Sequence, residues 1–553
     1  MDNVATRRQG IFRRSFETVK REENPMRNCL PTLKGSASTR LKGSAYNWLK
    51  GSACTILLVA STLAVGCAGG PPPLEPGSYE SPLVRLQQLV GENNHLHTDE
   101  VRYRASDGLL FHCSYNFGVI DARDPGRMVY LAQELRHQVP GDRRQPGCIH
   151  LAWDGDVVYT SHRGNIDNPA FLSGWRLERD SAAPEKLTAV QLPVLQEPGV
   201  SYEGIDTANG LIYVALRRHG LGIYRRTSNG FLRVGAFPGL DNAWGVRVRG
   251  NTAFVTDGLG GLAIVDVTHP KTPALVGRAA IDGQARGLAI DGDHAFVAAG
   301  AAGLVIVDVS DLRAPKVKGA ARVSGSAIRV DYSNGLAFVA AWNDARAYDV
   351  SNPAAPRLVG AARMTREIGR EGDGRPEVTS RTLGVAAHGD VMFAGNWHVI
   401  HSFRVHPERR APSLVLPEDV TLVDFGPVAP GAVARVPLAV RNQGTAPLTI
   451  FDAAIDQPSF TVEPRALRVP PGETATFTLS FEPKAADKAT ALLRVSTDDP
   501  DNPAREGYLV ANQPGLGVGK RFPEASVALV DGGRWTSTAL EGHVALVAYF
   551  ATF

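Results

Sequence analysis

The sequence has little excess charge of either sign, because 59 Lys and Arg residues offset 56 Asp and Glu residues. The basic residues are scattered apart from an N-terminal excess, so the electrostatic footprint of a nucleic-acid-binding protein is missing. Nucleic acid is therefore not an expected partner. With 43% hydrophobic and 21% charged residues, the 553-residue chain has the composition of a folded protein of several domains.

Motifs of common catalytic sites are also missing. The sequence contains no G-x-S-x-G, no phosphate-binding loop, no H-E-x-x-H and no dinucleotide fingerprint. It has no cysteine pair at C-x-x-C spacing, so a local redox centre is not predicted. We therefore assign no catalytic residue and no cofactor from motifs.

One apolar segment, residues 53–66 ("ACTILLVASTLAVG"), is too short for an ordinary transmembrane helix, which needs about 20 apolar residues. Basic residues precede it and "CAGGPPP" follows, so it predicts a secretory signal, and residues 1–66 are left out of the fold prediction. Upstream, "LKGSA" occurs three times, and we expect that translation starts at Met26 or later.

"LAVGC" at the end of this segment resembles the lipobox of bacterial lipoproteins. The resemblance implies that Cys67 is lipidated and becomes the mature N-terminus, and that the protein is anchored in the outer membrane of the cell envelope, because no Asp follows the cysteine. Simple secretion and an uncleaved anchor are the alternatives. Residues 67–93 are then expected to form a Pro/Gly tether and a short helix.

The middle of the chain contains a repeat of about 42 residues. Phe254, Phe296 and Phe338 mark it at intervals of 42. Each unit has four short β-rich runs separated by turns, for instance "GVRVRG", "TAFVTDG", "GLAIVDV" and "PALVGRAA", which is the pattern of a β-propeller blade. One such sheet cannot bury both its faces, so the units must stack as an array.

"GLAIVDV" and "GLVIVDV" resemble the LVIVD-repeat family, bacterial surface proteins thought to be β-propellers. Extending the register predicts a seven-bladed propeller over residues 94–411. Loops that depart from the repeat, "IDNPAFLSG" and "TREIGREGDGRPEVTS", are expected on the rim, where binding usually lies. The blades are predicted to begin near residues 94, 147, 200, 242, 285, 326 and 380.

Candidate site residues in the propeller are few. His95 and His97 in "NNHLHTDE" share one face of a strand and could ligate a metal with a nearby carboxylate, although surface histidines without a metal are the favoured interpretation. Cys113 and Cys148 remain after the signal region and Cys67 are set aside, and they form either a disulfide between neighbouring blades or two buried thiols. Recurrent aspartates before a turn are expected to cap it through Asx hydrogen bonds; they are Asp266, Asp308 and Asp349.

Residues 412–512 change character to alternating strands at the spacing of a small antiparallel sandwich. "VRNQGTAPLTI", "LRVPPGETATFTLSFEP" and "VSTDDPDNP" resemble the immunoglobulin-like domains called choice-of-anchor D or ASH-type, which implies a role in spacing or adhesion. The acidic sequence "STDDPDNP", with Asp498, Asp499 and Asp501, is interpreted as a solvated turn rather than a calcium site.

Residues 513–553 resemble the opening of the redoxin branch of the thioredoxin fold, through "LVDGG" and "LEGHVALVAYFATF". The resemblance implies an incomplete thioredoxin-like α/β segment whose reactive cysteine would follow Phe553. We expect a truncated gene model or fragment; completion by another chain and a misleading resemblance are the alternatives. The predicted fold class is mainly β: a seven-bladed propeller, an immunoglobulin-like sandwich and this incomplete segment.

Three functional hypotheses follow. In the first, the propeller and the immunoglobulin-like domain are a binding or scaffold module for a thiol-disulfide oxidoreductase or peroxiredoxin domain. In the second, the chain is a non-catalytic cell-surface protein that binds a protein or glycan on the propeller rim. In the third and weakest, a metal-dependent propeller enzyme uses His95 and His97.

Overall fold

The protein is mainly β. The computed structural model describes residues 74–90, 98–113, 116–139, 148–164, 169–179, 187–323, 325–363, 381–396, 399–417, 422–512, 526–528 and 534–536. These residues form strands, turns and loops, and no helix in this part of the chain is long and apolar enough to cross a membrane.

Strands between residues 83 and 405 form four-stranded antiparallel sheets, seven of them within the described ranges. The seventh sheet combines the first strand of this region, β1, with the last three. The strands are β1 Leu83–Val90; β2 Glu100–Arg104, β3 Leu109–Cys113, β4 Phe117–Asp121 and β5 Val129–Leu135; β6 His150–Asp154, β7 Val157–His162, β8 Phe171–Arg179 and β9 Leu187–Gln191; β10 Ile205–Ala208, β11 Leu211–Ala215, β12 Leu221–Thr227 and β13 Gly230–Phe237; β14 Gly245–Arg249, β15 Thr252–Thr256, β16 Leu262–Asp266 and β17 Ala274–Ala279; β18 Gly287–Asp291, β19 His294–Ala298, β20 Leu304–Asp308 and β21 Lys316–Ala321; β22 Gly325–Ser333, β23 Leu336–Trp342, β24 Ala345–Asp349 and β25 Arg357–Ala362; β26 Gly384–His388, β27 Val391–Gly395 and β28 Val399–Val405.

The sheets have a propeller-like arrangement around their first strands. Each of the strands β2, β6, β10, β14, β18 and β22 contacts the first strand of the next sheet, and β26 contacts β2. These first strands are called the inner strands below. Because the inner strands meet in a closed sequence, side chains near their N-terminal ends converge on one small region.

The repeat explains why each sheet needs its neighbours. In β16, Ala263 and Val265 pack into a core with the preceding sheet, whereas Leu262 and Ile264 pack into a core with the following one. Alternate residues of a strand point to opposite faces, so a strand that is apolar at every position is stable only between two other sheets. The strands expected from the repeat pattern are confirmed in this region.

The short helix expected within residues 67–93 is wrong for the described part of that range. Leu83–Val90 forms β1, which pairs antiparallel with β28 and completes its sheet. Leu83 lies in the apolar core of the last two sheets, only 4% exposed. A strand is favoured because pairing satisfies the backbone groups of β28, which would otherwise form an open edge.

Residues 412–512 contain two sheets that share one apolar core. The predicted alternation is confirmed there, but β30 and β37 pair parallel, which the antiparallel expectation did not include. We call this region the sheet pair. Its strands are β29 Leu414–Val415, β30 Leu422–Asp424, β31 Ala434–Asn442, β32 Leu448–Ile455, β33 Phe460–Glu463, β34 Leu467–Val469, β35 Thr474–Phe481, β36 Ala489–Thr497 and β37 Ala504–Ala511.

The acidic turn of the sheet pair is not solvated as expected. Asp498 is 8% exposed and Asp499 is 1% exposed. Asp499 accepts hydrogen bonds from the backbone N–H groups of Leu414, Asp501 and Asn502. The turn is buried because its carboxylates satisfy backbone donors that have no strand partner, the usual requirement for buried polar groups.

The segment before β1 lies against this turn, so its described residues are not a free tether. The backbone N–H of Gly77 donates to Asp498, and the Ser81 hydroxyl donates to Asp501 at 2.5 Å. The Tyr79 hydroxyl donates to the carbonyl of Pro447. Residues 77–81 therefore join the acidic turn to β1 and, through β1, to the last sheet of the propeller-like region.

Within residues 513–553 the structure describes one antiparallel pair, β38 Ser526–Ala528 and β39 Arg534–Thr536. The two strands flank the sequence "LVDGG", where a turn between strands was expected. The rest of the segment that resembles a redoxin lies outside the described residues.

Candidate functional site

One position of the inner strands differs between sheets. In three sheets it is a glycine that pairs across the ladder with Thr256, Ala298 or Gly395, and a fourth glycine stands just before β10. A Cβ atom on Gly245 or Gly287 would meet the backbone of the next sheet at 2.6 or 2.7 Å, which explains the glycine. The four glycines are Gly204, Gly245, Gly287 and Gly384.

The three remaining sheets carry ionisable residues at this position: Glu100, His150 and Arg329. The three side chains meet in the structure. His150 Nδ1 lies 3.4 Å from Glu100 Oε2 and 3.2 Å from Arg329 Nη2. The three residues that replace the glycine therefore form one cluster, although they come from sheets that are far apart in the sequence.

Glu203 completes the cluster from the loop before β10. Its Oε2 lies 3.2 Å from His150 Nε2, and its Oε1 accepts a hydrogen bond from Arg217 Nε at 2.6 Å. Both nitrogens of the imidazole thus face carboxylate oxygens, which only accept hydrogen bonds. Both ring nitrogens are therefore occupied by contacts within the cluster.

Both carboxylates are ionised in this cluster. Burial by itself would raise the pKa of Glu100, but hydrogen bonding to His150 and the charges of His150, Arg102 and Arg329 lower it to about 2. Burial opposes ionisation of Glu203 in the same way, and its pKa is also lowered to about 2 by His150 and by nearby arginines. The cluster is a buried ionic network whose members satisfy one another.

Carboxylates also join neighbouring inner strands. Glu100 accepts the backbone N–H of Leu151, Asp206 that of Val248, and Asp331 that of Ala387, in each case from the next sheet. Each bond links two sheets that share no ladder. This repeated contact gives the acidic residues of the inner strands a structural role.

The cluster lines a narrow cavity among the inner strands, which we call the channel mouth. Its charged and polar lining consists of Glu100, Arg102, His150, Trp244, Arg247, Arg286, Arg329 and Asp331. The Trp244 ring lies beneath two guanidinium groups, with the Cζ atoms of Arg217 and Arg286 at 3.4 and 4.9 Å from the ring centroid. Cation–π contacts of this kind fix the orientation of both arginines.

Two loop residues beside the channel mouth have left-handed backbones. Gly258 and Gly300, between the second and third strands of their sheets, have φ of 54° and 60° and form isolated β-bridges with Ala285 and Ala327 of the following sheet segment. Arg217 and Trp342 occupy the equivalent bridging positions with φ of 53° and 63°. We call the side of the molecule that carries these four bridges the loop face.

A left-handed backbone is unfavourable for any residue with a Cβ atom, at a cost of about 1–3 kcal/mol. Arg217 and Trp342 replace the glycine of the repeat in spite of this cost. Arg217 contacts Glu203 and Trp244, and the ring of Trp342 lies 5.0 Å below the guanidinium of Arg381. Strain of this kind concentrates at binding and catalytic sites.

Several residues expected to form sites lie outside the described residues, namely Cys67, His95 and His97. The described residues contain no group of three or more His, Cys, Asp or Glu side chains arranged to hold a metal ion. The second expected rim insertion, residues 365–380, lies outside the described ranges, as do residues 166–168 of the first. The end of the first, from Phe171, belongs to strand β8 rather than to a loop.

Cys113 ends β3, and Cys148 lies two residues before β6, with 5.2 Å between their Cα atoms. Both side chains are fully buried and are placed as a disulfide pair.

The recurrent aspartates form the expected turns. Asp266, Asp308 and Asp349 each accept hydrogen bonds from the backbone N–H and the hydroxyl of the residue two positions later. The Asx interpretation is confirmed, and these aspartates lie at the ends of third strands, away from the inner-strand cluster.

The sequence analysis missed the cluster of Glu100, His150 and Arg329. The signal was present in the repeat, because Gly245, Gly287 and Arg329 follow one another at 42 residues. A charged residue at a glycine position of an apolar repeat is a departure that the fold of the unit does not require. What the repeat does not show is that Glu100 and His150, from irregular sheets, occupy the same ring of positions.

The comparisons with known families agree with two parts of this architecture. The LVIVD repeat matches residues 241–280, 282–322 and 324–363. The ASH domain, described as "Abnormal spindle-like microcephaly-assoc'd, ASPM-SPD-2-Hydin", matches residues 412–503. The chain thus contains LVIVD repeats followed by an ASH domain. No curated protein matches the sequence.

Solved structures with a similar fold include β-propellers. "Structure of U3-55K" is 11% identical, with a TM-score of 0.44, and covers 58% of this chain and 98% of its own. "Crystal structure of WD40 beta propeller domain of Doa1" is 10% identical, with a TM-score of 0.40, and covers 58% of this chain and 96% of its own.

Proposed function

We propose that this chain is a non-catalytic binding protein of the cell envelope, built on a seven-bladed β-propeller and an immunoglobulin-like ASH domain. Its ligand binds on the loop face, beside the channel mouth. The observation that carries the proposal is the presence of Arg217 and Trp342 where the repeat has glycine with a left-handed backbone. Backbone strain retained at two equivalent positions of one face is accounted for by a ligand that these side chains contact.

The propeller proposal is supported by the closed sequence of contacts among the inner strands and by β1, which pairs with the last strand of the region. A ring needs such a closing strand, because it would otherwise end in an unpaired edge. The immunoglobulin-like proposal is supported by two sheets around one core and by the ASH match.

Binding is favoured over catalysis by the hydrogen bonds of His150. A general acid or base must have a ring nitrogen within reach of the substrate. Both nitrogens of His150 face Glu100 and Glu203 instead. The cluster therefore positions the arginines and the tryptophan around it rather than exchanging protons with a ligand.

The test is a binding screen of the folded protein against glycan and peptide arrays. Trp342→Gly and Arg217→Gly remove the two side chains and restore the glycine of the repeat, so both variants are expected to fold. The matched control is Lys318→Ala, an exposed residue of β21 beside an Asx turn. A ligand bound by the parent and the control, and lost from both glycine variants, is expected. A ligand that all four proteins bind equally would overturn the assignment of the loop face.

Membrane attachment is a separate proposal, which the resemblance of "LAVGC" to a lipobox supports. Cells given a labelled fatty acid are expected to transfer the label to the parent protein and not to Cys67→Ser. Label on both proteins would place the acyl chain on another residue. Label on neither protein would contradict lipidation and favour simple secretion.

The disulfide between Cys113 and Cys148 is likewise a proposal, which their Cα separation of 5.2 Å supports. Non-reducing peptide mapping is expected to recover the two cysteines in one cross-linked peptide pair. Alkylation of both thiols in the unfolded, unreduced protein would instead establish two buried thiols.

The redoxin proposal for residues 513–553 is supported by sequence resemblance and by the pairing of β38 with β39. Sequencing the transcript through the codon of Phe553 tests it. A downstream cysteine in a thioredoxin-like sequence supports the first functional hypothesis, in which the propeller serves a thiol oxidoreductase; a stop codon there excludes it for this chain.

A further inference from the structure

The channel mouth contains three guanidinium groups that lie beyond ion-pair distance of any carboxylate in the part of the chain that the structure describes. Arg247, Arg286 and Arg329 make no ion pair with a carboxylate among the described residues. Arg247 donates to the carbonyl of Val246, Arg286 to the side-chain oxygen of Gln284, and Arg329 approaches His150 and the carbonyl of Ile328. Three guanidinium groups therefore line one narrow cavity, and the oxygen atoms to which they donate belong to carbonyl and amide groups.

Burial and nearby charges lower the pKa of two of these guanidinium groups. Burial lowers the pKa of Arg247, and the charge of Arg102 lowers it further. Burial also lowers the pKa of Arg286, followed by the charges of Arg329, Arg217 and Arg163. The charges of Asp206, Glu100 and Asp331 oppose the shift of Arg247, and that of Glu203 opposes the shift of Arg286. Arginine stays protonated in proteins, so these guanidinium groups keep their positive charge.

Two buried N–H groups in the same cavity have no acceptor. They are Nε of Arg329 and Nε1 of Trp244. A buried donor without a partner costs about 1–3 kcal/mol, so an acceptor that reaches both groups would recover that free energy. Both donors line the cavity in which the unpaired guanidinium groups lie.

We propose that the channel mouth binds one oxyanion group of a ligand, a carboxylate, sulfate or phosphate, between Arg286, Arg329 and the indole N–H of Trp244. This inference rests on the proposed function and specifies the chemistry of its ligand. An oxyanion supplies several acceptor oxygens and a negative charge, which are what the two free donors and the unpaired guanidinium groups lack. The cavity is narrow, so the rest of the ligand lies over the loop face, against Arg217 and Trp342.

The neighbouring carboxylates do not take this role. Glu100 is bound by His150 and the backbone of Leu151, and Glu203 by His150 and Arg217. Asp331 is bound by backbone N–H groups on both of its oxygens. Each is held by its own contacts, so the guanidinium groups of Arg286 and Arg329 remain directed to the cavity.

The experiment titrates the purified chain with sodium phosphate, sodium sulfate and sodium glucuronate at constant ionic strength, with chloride as the balancing anion. Binding is followed by intrinsic fluorescence, to which Trp244 contributes, and by the thermal midpoint of unfolding, which a ligand of the folded state raises. The variants are Arg329→Gly, which restores the glycine of the repeat, and Arg286→Ala. The charge-matched control is Arg494→Ala, an exposed residue of the sheet pair.

At least one of the three anions is expected to bind the parent and the control equally. Its affinity is expected to fall at least tenfold in Arg329→Gly and in Arg286→Ala. In Trp244→Phe, which lacks the indole N–H, the fluorescence change is expected to disappear and the thermal shift to become smaller. The anion with the highest affinity identifies the oxyanion.

Equal affinity in the parent and in Arg329→Gly would overturn the inference. If no oxyanion binds the parent, but an array ligand is lost from Trp342→Gly, the oxyanion inference fails and the proposed function stands. If the parent binds neither an oxyanion nor an array ligand, both fail.

Discussion

At the scale of single residues, the most informative positions are those that break the repeat. Arg217 and Trp342 accept a backbone conformation that suits glycine, and Glu100, His150 and Arg329 occupy a position that is glycine in other sheets. Such exceptions can be identified in a repeat protein, because the other units show which residue the fold alone requires.

The strain at Trp342 predicts an unusual order of stabilities. Trp342→Gly and Trp342→Ala remove the same ring, but only glycine relaxes at φ of 63°. Urea unfolding is therefore expected to find the glycine variant more stable than the alanine variant by about 1 kcal/mol.

Gly335→Ala provides the control for that comparison. Gly335 has φ of 76°, and an added Cβ atom would meet nothing within 4 Å. The stability lost in Gly335→Ala therefore measures the free-energy cost of a left-handed backbone without any steric clash. An alanine variant at position 342 as stable as the glycine variant would mean that the backbone there relaxes without cost.

The ionic cluster predicts acid sensitivity. The pKa of Glu203 is about 2 in the folded protein and 4.5 as its ordinary value, so its ionisation stabilises the fold above pH 4.5 and this contribution is lost as the pH falls toward 2. Glu203→Gln is expected to lower the free energy of unfolding by about 3 kcal/mol at pH 6, because His150 and Arg217 lose a buried partner.

The same variant is expected to have a shallower loss of stability between pH 4.5 and 2, followed by denaturant unfolding at each pH. Glu506→Gln, which breaks an exposed ion pair with Arg494, is the control and is expected to change little. A parallel pH profile for parent and Glu203→Gln would show that this carboxyl group has no depressed pKa.

At the scale of elements, the acidic turn after β36 links parts of the chain that the sequence places far apart. Residues 77–81, the start of β29 and the turn itself meet through Asp498, Asp499 and Asp501. Burial, with a further contribution from Asp499, raises the pKa of Asp501 to about 7, although the hydroxyl of Ser81 donates to it and partly opposes the shift.

This turn predicts a pH effect of opposite sign. A carboxyl group whose folded pKa is raised from 3.8 to about 7 destabilises the fold when it is ionised, so stability should rise as the pH falls through 7. Asp501→Asn keeps an acceptor for Ser81 without the charge, and it is expected to be more stable than the parent at pH 8 by about 2 kcal/mol.

That difference should shrink as the pH is lowered to 4, in thermal unfolding measured across the range. Asp487→Asn, at an exposed position of the same domain, is the control. An advantage of Asp501→Asn that stays constant with pH would indicate a packing effect rather than titration.

At the scale of the whole molecule, β1 determines whether the propeller-like region closes. The strand contributes Leu83 to a core that includes Phe338, Val359 and Val405, from two sheets. Leu83→Asp is expected to abolish the cooperative unfolding transition or lower its midpoint severely, because it buries an unpaired charge.

Val90→Asp, at the other end of the same strand, is the matched control, since Val90 is 37% exposed and Leu83 is 4% exposed. Circular dichroism during heating measures both. Equal tolerance of the two substitutions would mean that β1 is dispensable and that the remaining strands hold the ring together.

Much of the fold could be predicted from the sequence because the repeat records it locally. The strands around Phe254, Phe296 and Phe338 and those of the sheet pair follow from apolar runs and turn residues over a few positions. Leu83–Val90 could not be assigned in this way, because its partner β28 is more than 300 residues away. The mixed apolar and polar sequence of this short segment is also compatible with either a helix or a strand.

The candidate site was less predictable than the fold. The histidine pair of the sequence analysis, His95 and His97, came from local spacing, whereas Glu100, His150 and Arg329 are brought together by closure of the inner strands. Similarly, "STDDPDNP" has the composition of a solvated turn, and only the approach of residues 77–81 and β29 buries it.

The sequence by itself determined the mainly β character of the chain, the 42-residue unit and the Asx turns, since each depends on neighbours within one unit. The tertiary structure alone decided which strand completes the seventh sheet, which charges share the channel mouth and which carboxylates are buried. The physical reason is that these features depend on distances between residues of different sheets, which are set when the inner strands meet and leave no pattern in any one segment of the chain.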